Sequence, residues 1–192
     1  MFAPIPTRFA LFALLALSMA ATRFTHGGAP WLPPDASWAV FFLGGFYLTR
    51  QWRWALGILL IEAVGVDCLA IQHYGMSNYC VTLAYWFIVP AYSALWLGGA
   101  WLRRHYQQVP LDLVRLLASL TVSVTICFLL TQASFYWLGG RVEHPSFAGW
   151  WSNFTRWCGH FLAVSCAYVA LAVLLHVAFT QRSHANAALQ TQ

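Results

Sequence analysis

Long apolar runs, broken by short polar or arginine-bearing segments, dominate the chain. They predict six helical spans, at about 9–21, 36–48, 54–71, 81–102, 113–138 and 157–180. A helix that crosses the hydrocarbon core of a bilayer needs about 20 residues at about 1.5 Å each. The last four runs meet that length. The first two are short, and Arg8, Arg23 and Arg50 at their ends can snorkel to extend them. The predicted fold is therefore an all-α integral membrane protein, one membrane domain over residues 1–192 with a polar tail at 181–192. Pro90, inside the fourth run, predicts a kink there, because its ring removes a backbone donor.

Arginine positions orient the spans. Arg8, Arg50, Arg53, Arg103, Arg104, Arg115 and Arg182 fall on one side; Arg23, Arg141 and Arg156 fall on the other. This asymmetry predicts that the N- and C-termini are cytoplasmic. The outer side then carries the connections 22–35, 72–80 and 139–156, and the first and third are rich in Gly, Pro and Trp. Such loops suggest a lid over an outward-facing pocket, although eleven tryptophans must also furnish an interfacial belt. The N-terminus has a second reading. Arg8, the run 9–17 and Ser18-Met19-Ala20 resemble a signal peptide, and cleavage there would leave five spans.

Composition narrows the chemistry. Only 8% of the 192 residues are charged, against about a quarter in soluble chains, so the solvent is not water. All ten basic residues are arginine. Without lysine there is no phosphate-binding loop and no Schiff base, and any ATP hydrolysis must come from another chain. No basic cluster exceeds two adjacent arginines, so the net charge of +5 flanks a membrane and is no nucleic-acid footprint.

Acidic residues within a bilayer are functional candidates by default. Glu62 lies mid-span and Asp67 nearer the outer end. Five helical residues turn through about 140°, so the two face differently and are no paired acid–base site. Asp67, closer to the outer connections, is the pocket candidate, while an ion pair or hydrogen bond to a neighbouring helix is the plainer role for either. Among five cysteines there is no C-x-x-C. Cys127 and Cys166 are mid-membrane packing residues, and Cys68, Cys80 and Cys158 lie at outer span ends. Cys80 is expected at a helix start, where a thiol acidifies and can ligate a soft metal; a disulfide to Cys68 or Cys158 is the alternative. His26, His73 and His144 lie in or beside outer connections, but no closely spaced ligand set predicts a zinc site. Ala16 and Ala20 fit the small-xxx-small pattern of close helix contact, with a partner or within the chain. Thr121, Thr125, Thr131 and Gln132 give the fifth span polar groups.

From Asp67-Cys68 through Asn78-Tyr79-Cys80 into Tyr85-Trp86, and over all six spans, the chain resembles the BtuM family of small bacterial cobalamin transporters. These are relatives of the substrate-binding S-components of energy-coupling-factor transporters. The resemblance implies an S-component-like six-helix bundle in the bacterial cytoplasmic membrane, with a corrinoid pocket open to the outside. It implies that Cys80 ligates the cobalt of cobalamin; extended as a hypothesis, the thiolate replaces the vitamin's own base or its outer axial ligand and labilises an axial cyanide, which gives a Cys80-dependent removal activity alongside transport. Asp67, Tyr79, Tyr85 and Trp86 would line the pocket, since a large flat macrocycle suits aromatic walls. Cobalamin would be substrate; no cofactor of the protein's own is implied. The partner would be a coupling module docked through Ala16 and Ala20, or none at all. From another class, Cys68 and Cys80 could form a redox pair, or histidines could hold haem, in a membrane oxidoreductase. A structural membrane subunit is the third reading.

Overall fold

A computed structural model describes residues 5–23, 33–74 and 81–189. Among the described residues the chain is all-helical, with no strand. The α-helices in chain order are α1 (Ile5–Arg23), α2 (Ser37–Tyr47), α3 (Trp52–Tyr74), α4 (Ile88–His105), α5 (Leu111–Leu138) and α6 (Phe147–Leu189). Short 3-10 helices, Thr49–Gln51 and Leu83–Phe87, precede α3 and α4.

Four segments are long and apolar enough to cross a membrane: Thr49–His73, Leu83–His105, Leu111–Leu138 and Phe147–Ala178. They turn large apolar side chains outward, among them Ile61, Leu97, Val122 and Leu174, each more than half exposed. Water would penalise so much exposed apolar surface, whereas lipid accepts it. The chain is accordingly a membrane protein.

α2 explains its own shortness. Its 11 residues extend about 17 Å, too little to span the hydrocarbon. Eight of them are buried: Ser37 to Phe42, Gly44 and Gly45. A helix that is apolar all round belongs inside a protein, and this one is enclosed by α1, α3, α4 and α6. Glycines allow the close approach. A Cβ on Gly45 would run into the Trp96 carbonyl, and one on Gly99 into the Phe42 carbonyl. α4 meets α5 in the same manner at Gly98, whose carbonyl accepts a 2.8 Å hydrogen bond from Ser119. With lipid outside, helices gain little from apolar transfer, so close packing and such bonds hold the bundle together.

The expectations for α6 and for Pro90 are corrected. α6 starts at Phe147, ten residues before the expected 157, because Ser146 sets up its first turn: the Ser146 hydroxyl accepts from Gly149 N at 3.2 Å and its carbonyl from Trp150 N at 3.0 Å. The helix also runs on to Leu189, through most of the expected polar tail. Its 43 residues reach about 64 Å, twice the bilayer core. The fourth span opens at Leu83, within two residues of the expected 81, but as a 3-10 helix. Thr82 caps the 3-10 helix by accepting from Ala84 N at 3.2 Å, and α4 proper begins at Ile88. Pro90 therefore lies in the first turn of α4, where an amide has no intrahelical partner to lose, and the expected mid-helix kink has no cause. Its ring crowds the carbonyl four residues back, that of Trp86, so the tighter helix falls just before it.

At the opposite end, Asp112 closes the turn between α4 and α5. It accepts from Gln107 N at 2.9 Å and Val109 N at 3.1 Å, and pairs with Arg115 at 2.9 Å. Arg115 also donates to the His105 carbonyl at 2.8 Å. This arginine, like Arg23 below, has bonds inside the protein as well as a place in the arginine count.

Candidate functional site

Among the described residues, Arg23 gathers a cluster of polar groups inside the bundle. The last turn of α1 brings it in: Thr22 donates back to the Ser18 carbonyl at 2.8 Å and accepts the amide of Ala36 at 3.0 Å, which ties the approach to α2 onto the end of α1. Arg23 is only 4% exposed. Its Nε and Nη2 grip Asp67 of α3 side-on, at 2.7 Å to Oδ1 and 2.7 Å to Oδ2. Nη1 donates to the Ser37 hydroxyl and to the Tyr92 hydroxyl, each at 2.9 Å. Asp35 stands 3.6 Å from Nη1 and accepts from the Ser37 hydroxyl at 2.6 Å and the Ser37 amide at 2.9 Å. Two carboxylates thus share one guanidinium. The planar fork of arginine suits this bidentate grip, which a lysine could not reproduce.

Tyr85 completes the cluster by donating to Asp67 Oδ2 at 2.7 Å. Asp67 and Tyr85, both expected to line a pocket, are therefore joined to one another. The first lies in the last third of α3 and the second in the 3-10 helix leading to α4. Their bond clamps the two flanks of the segment 75–80, and Arg23 fixes that clamp to α1, α2 and α4. Asp67 Oδ2 accepts two bonds and Oδ1 one, so the carboxylate has room for about one more donor. Its side chain keeps 24% exposure, enough for a ligand or solvent to reach it.

The other candidates are more dispersed. Tyr79 and Cys80 lie outside the described residues, as does His26. Trp86 is 71% exposed, while its neighbour Tyr85 turns inward. Successive 3-10 residues differ by about 120°, so these two cannot form one wall. Ala16 and Ala20 are half-buried, and Ala16 packs on the core, so internal contact already uses part of that stripe. Glu62 is half-buried at mid-length of α3. His144 and His73 are exposed. Among the described residues, no three His, Cys, Asp or Glu side chains converge as a metal site, and Cys68, Cys127, Cys158 and Cys166 are free thiols. Thr131 is engaged with the Cys127 carbonyl at 2.9 Å.

Sequence reasoning missed an aromatic wall. Trp38 of α2 stacks on Phe161 of α6 with centroids 4.7 Å apart. Phe161 meets Phe128 of α5 at 5.2 Å, Phe128 meets Phe154 at 5.3 Å, and Phe154 meets Trp150 at 5.9 Å. Within this wall both amide atoms of Gln132 and the indole N–H of Trp150 are sealed from solvent without a hydrogen-bond partner. Each such group costs about 1–3 kcal/mol. The single signal in the sequence was Gln132 itself, a polar residue in an apolar span; Trp150 was read as loop. Comparison of the chain with protein-family models and with curated proteins gives no match.

Proposed function

We propose that this protein takes up cobalamin across the bacterial cytoplasmic membrane, binding it on the outward side with Cys80 as cobalt ligand. The observation that carries the reading is the clamp between Asp67 and Tyr85, at 2.7 Å, on either flank of the Cys80 segment. These two residues belong to the stretch whose resemblance points to a corrinoid, and they are 18 positions apart in the chain. Closing the chain between Tyr85 and Asp67, with Asp67 itself gripped by the buried Arg23, suits it to presenting one thiol to a large ligand, because it limits the ordering entropy lost on binding. The aromatic wall of Trp38, Phe161, Phe128 and Phe154 supports the same reading with flat apolar surface at the same end of the bundle.

In this account the Cys80 sulfur takes an axial position of Co(III) by ligand exchange. A cyanide leaving that position departs as HCN with the thiol proton, and the oxidation state of cobalt is unchanged. Exchange of this kind would couple cyanide removal to binding. No lysine-bearing nucleotide site exists in the chain, so accumulation against a gradient needs a separate ATPase module or intracellular trapping.

The test is uptake of labelled cobalamin by bacterial cells lacking other corrinoid transport. Cells producing the protein should accumulate the label, and cells producing Cys80→Ala to the same level should not. Equal accumulation by both would remove Cys80 from the account, and none by either would remove cobalamin.

A further inference from the structure

α5 and α6 run antiparallel, with Phe128 of one against Phe154 of the other. One turn further toward the Arg23 end lies Gln132 on α5 and Trp150 on α6, so the two occupy one level of the interface. The packing of Gly149 against the Tyr136 hydroxyl, about one further turn along, fixes the same register. At that level lie three orphaned bonding groups: the Gln132 Nε2 donor, the Gln132 Oε1 acceptor and the Trp150 indole donor. Neighbouring polar residues do not serve them, since Thr131 bonds to the Cys127 and Phe128 carbonyls and Ser134 to the Thr131 carbonyl.

We infer that Gln132 and Trp150 form a recognition site for a primary carboxamide on the substrate, one that the substrate reaches by parting α5 and α6 at the level where these atoms are sealed. An amide that offers one donor and one acceptor side by side is complemented by another amide, which returns both bonds. The indole N–H supplies a second donor to the ligand carbonyl, whose oxygen has two lone pairs. A carboxylate in the same place would meet the Gln132 oxygen with no proton to offer, so the site discriminates amide from acid. Sites built to bond a polar group reject the analogue that lacks it far more strongly than apolar pockets reject a change of size. The inference rests on the corrinoid reading, because a corrinoid carries primary carboxamides around its rim, and it makes the α5–α6 wall the surface that reads that rim.

The experiment is titration of purified protein with cobalamin and with a derivative in which a rim carboxamide is hydrolysed to carboxylate, for wild type, Gln132→Leu and Trp150→Phe. The wild type should bind cobalamin at least about tenfold more tightly than the acid derivative, for one position of hydrolysis. Gln132→Leu should weaken cobalamin binding about tenfold or more and abolish that discrimination, with Trp150→Phe lying between. Free Gln132→Leu should melt no lower than wild type, since it removes unsatisfied groups, so weaker binding would not reflect misfolding. Unchanged affinity in Gln132→Leu, as expected if these atoms serve only buried water, overturns this inference alone. Absence of cobalamin binding by the wild type overturns the corrinoid reading together with it.

Discussion

Replacing Arg23 by methionine would keep much of the side-chain volume while removing the charge that joins α1, α2, α3 and α4. The loss comprises two bonds to Asp67 at 2.7 Å and bonds to Ser37 and Tyr92 at 2.9 Å, and it leaves Asp67 and Asp35 facing one another's charge. Breaking a buried ion pair from one side typically costs about 3–5 kcal/mol. Asp67 and Asp35 keep 24% and 17% exposure and can partly rehydrate, so the lower end, about 3 kcal/mol, applies. Arg23→Lys should recover less than half of this, because an ammonium cannot reach Asp67, Ser37 and Tyr92 together. Denaturant unfolding in detergent, followed by tryptophan fluorescence, measures the change. A double-mutant cycle with Asp67→Asn isolates the pair and should return a coupling above about 1.5 kcal/mol. A single-mutant cost below about 0.5 kcal/mol, or a coupling near zero, would refute the hub.

Other outcomes follow from the same geometry. Tyr85→Phe removes one hydrogen bond to a charged acceptor and should cost about 1.5–3 kcal/mol, less any rehydration of Asp67, in the same unfolding assay. Gly99→Ala, whose Cβ would press on the Phe42 carbonyl, should cost about 1–3 kcal/mol or more by forcing α2 and α4 apart. Gly65→Ala, whose Cβ meets nothing within 4 Å, should be neutral or stabilise by up to about 1 kcal/mol, and thermal melts of the two side by side check the contrast. A fluorescent reporter fused after residue 192 should be shielded from externally added quencher in intact cells, as the arginine asymmetry requires.

The longer spans were legible because length and hydropathy alone define a lipid-crossing helix, and α3 and α5 keep to within about two or three residues of their expected limits. α2 was legible as a helix but not as a buried one, since Gly44-Gly45 and Gly98-Gly99 reveal their contact only once the two helices are brought together. The start of α6 was missed because Trp150, Trp151 and Arg156 read as interfacial loop chemistry, while Ser146 organised a helix ahead of them. Arg23 was misread for a related reason. Counting arginines treats each as a membrane flank, and nothing in the local sequence announces that Asp67, 44 residues away, will draw one of them inside. Asp67 and Tyr85 were legible as candidates, yet their bond to one another was not, because a 3-10 turn ahead of Pro90 sends Tyr85 inward and Trp86 outward.

The central claim is that Cys80 ligates the cobalt of cobalamin. The visible absorption spectrum of the purified protein mixed with cobalamin, set beside that of Cys80→Ser, tests it most directly. The account predicts a shifted spectrum with the wild type, from replacement of an axial ligand by sulfur, and the spectrum of free cobalamin with the variant. A wild-type spectrum identical to that of free cobalamin, or the same shift in Cys80→Ser, would contradict it.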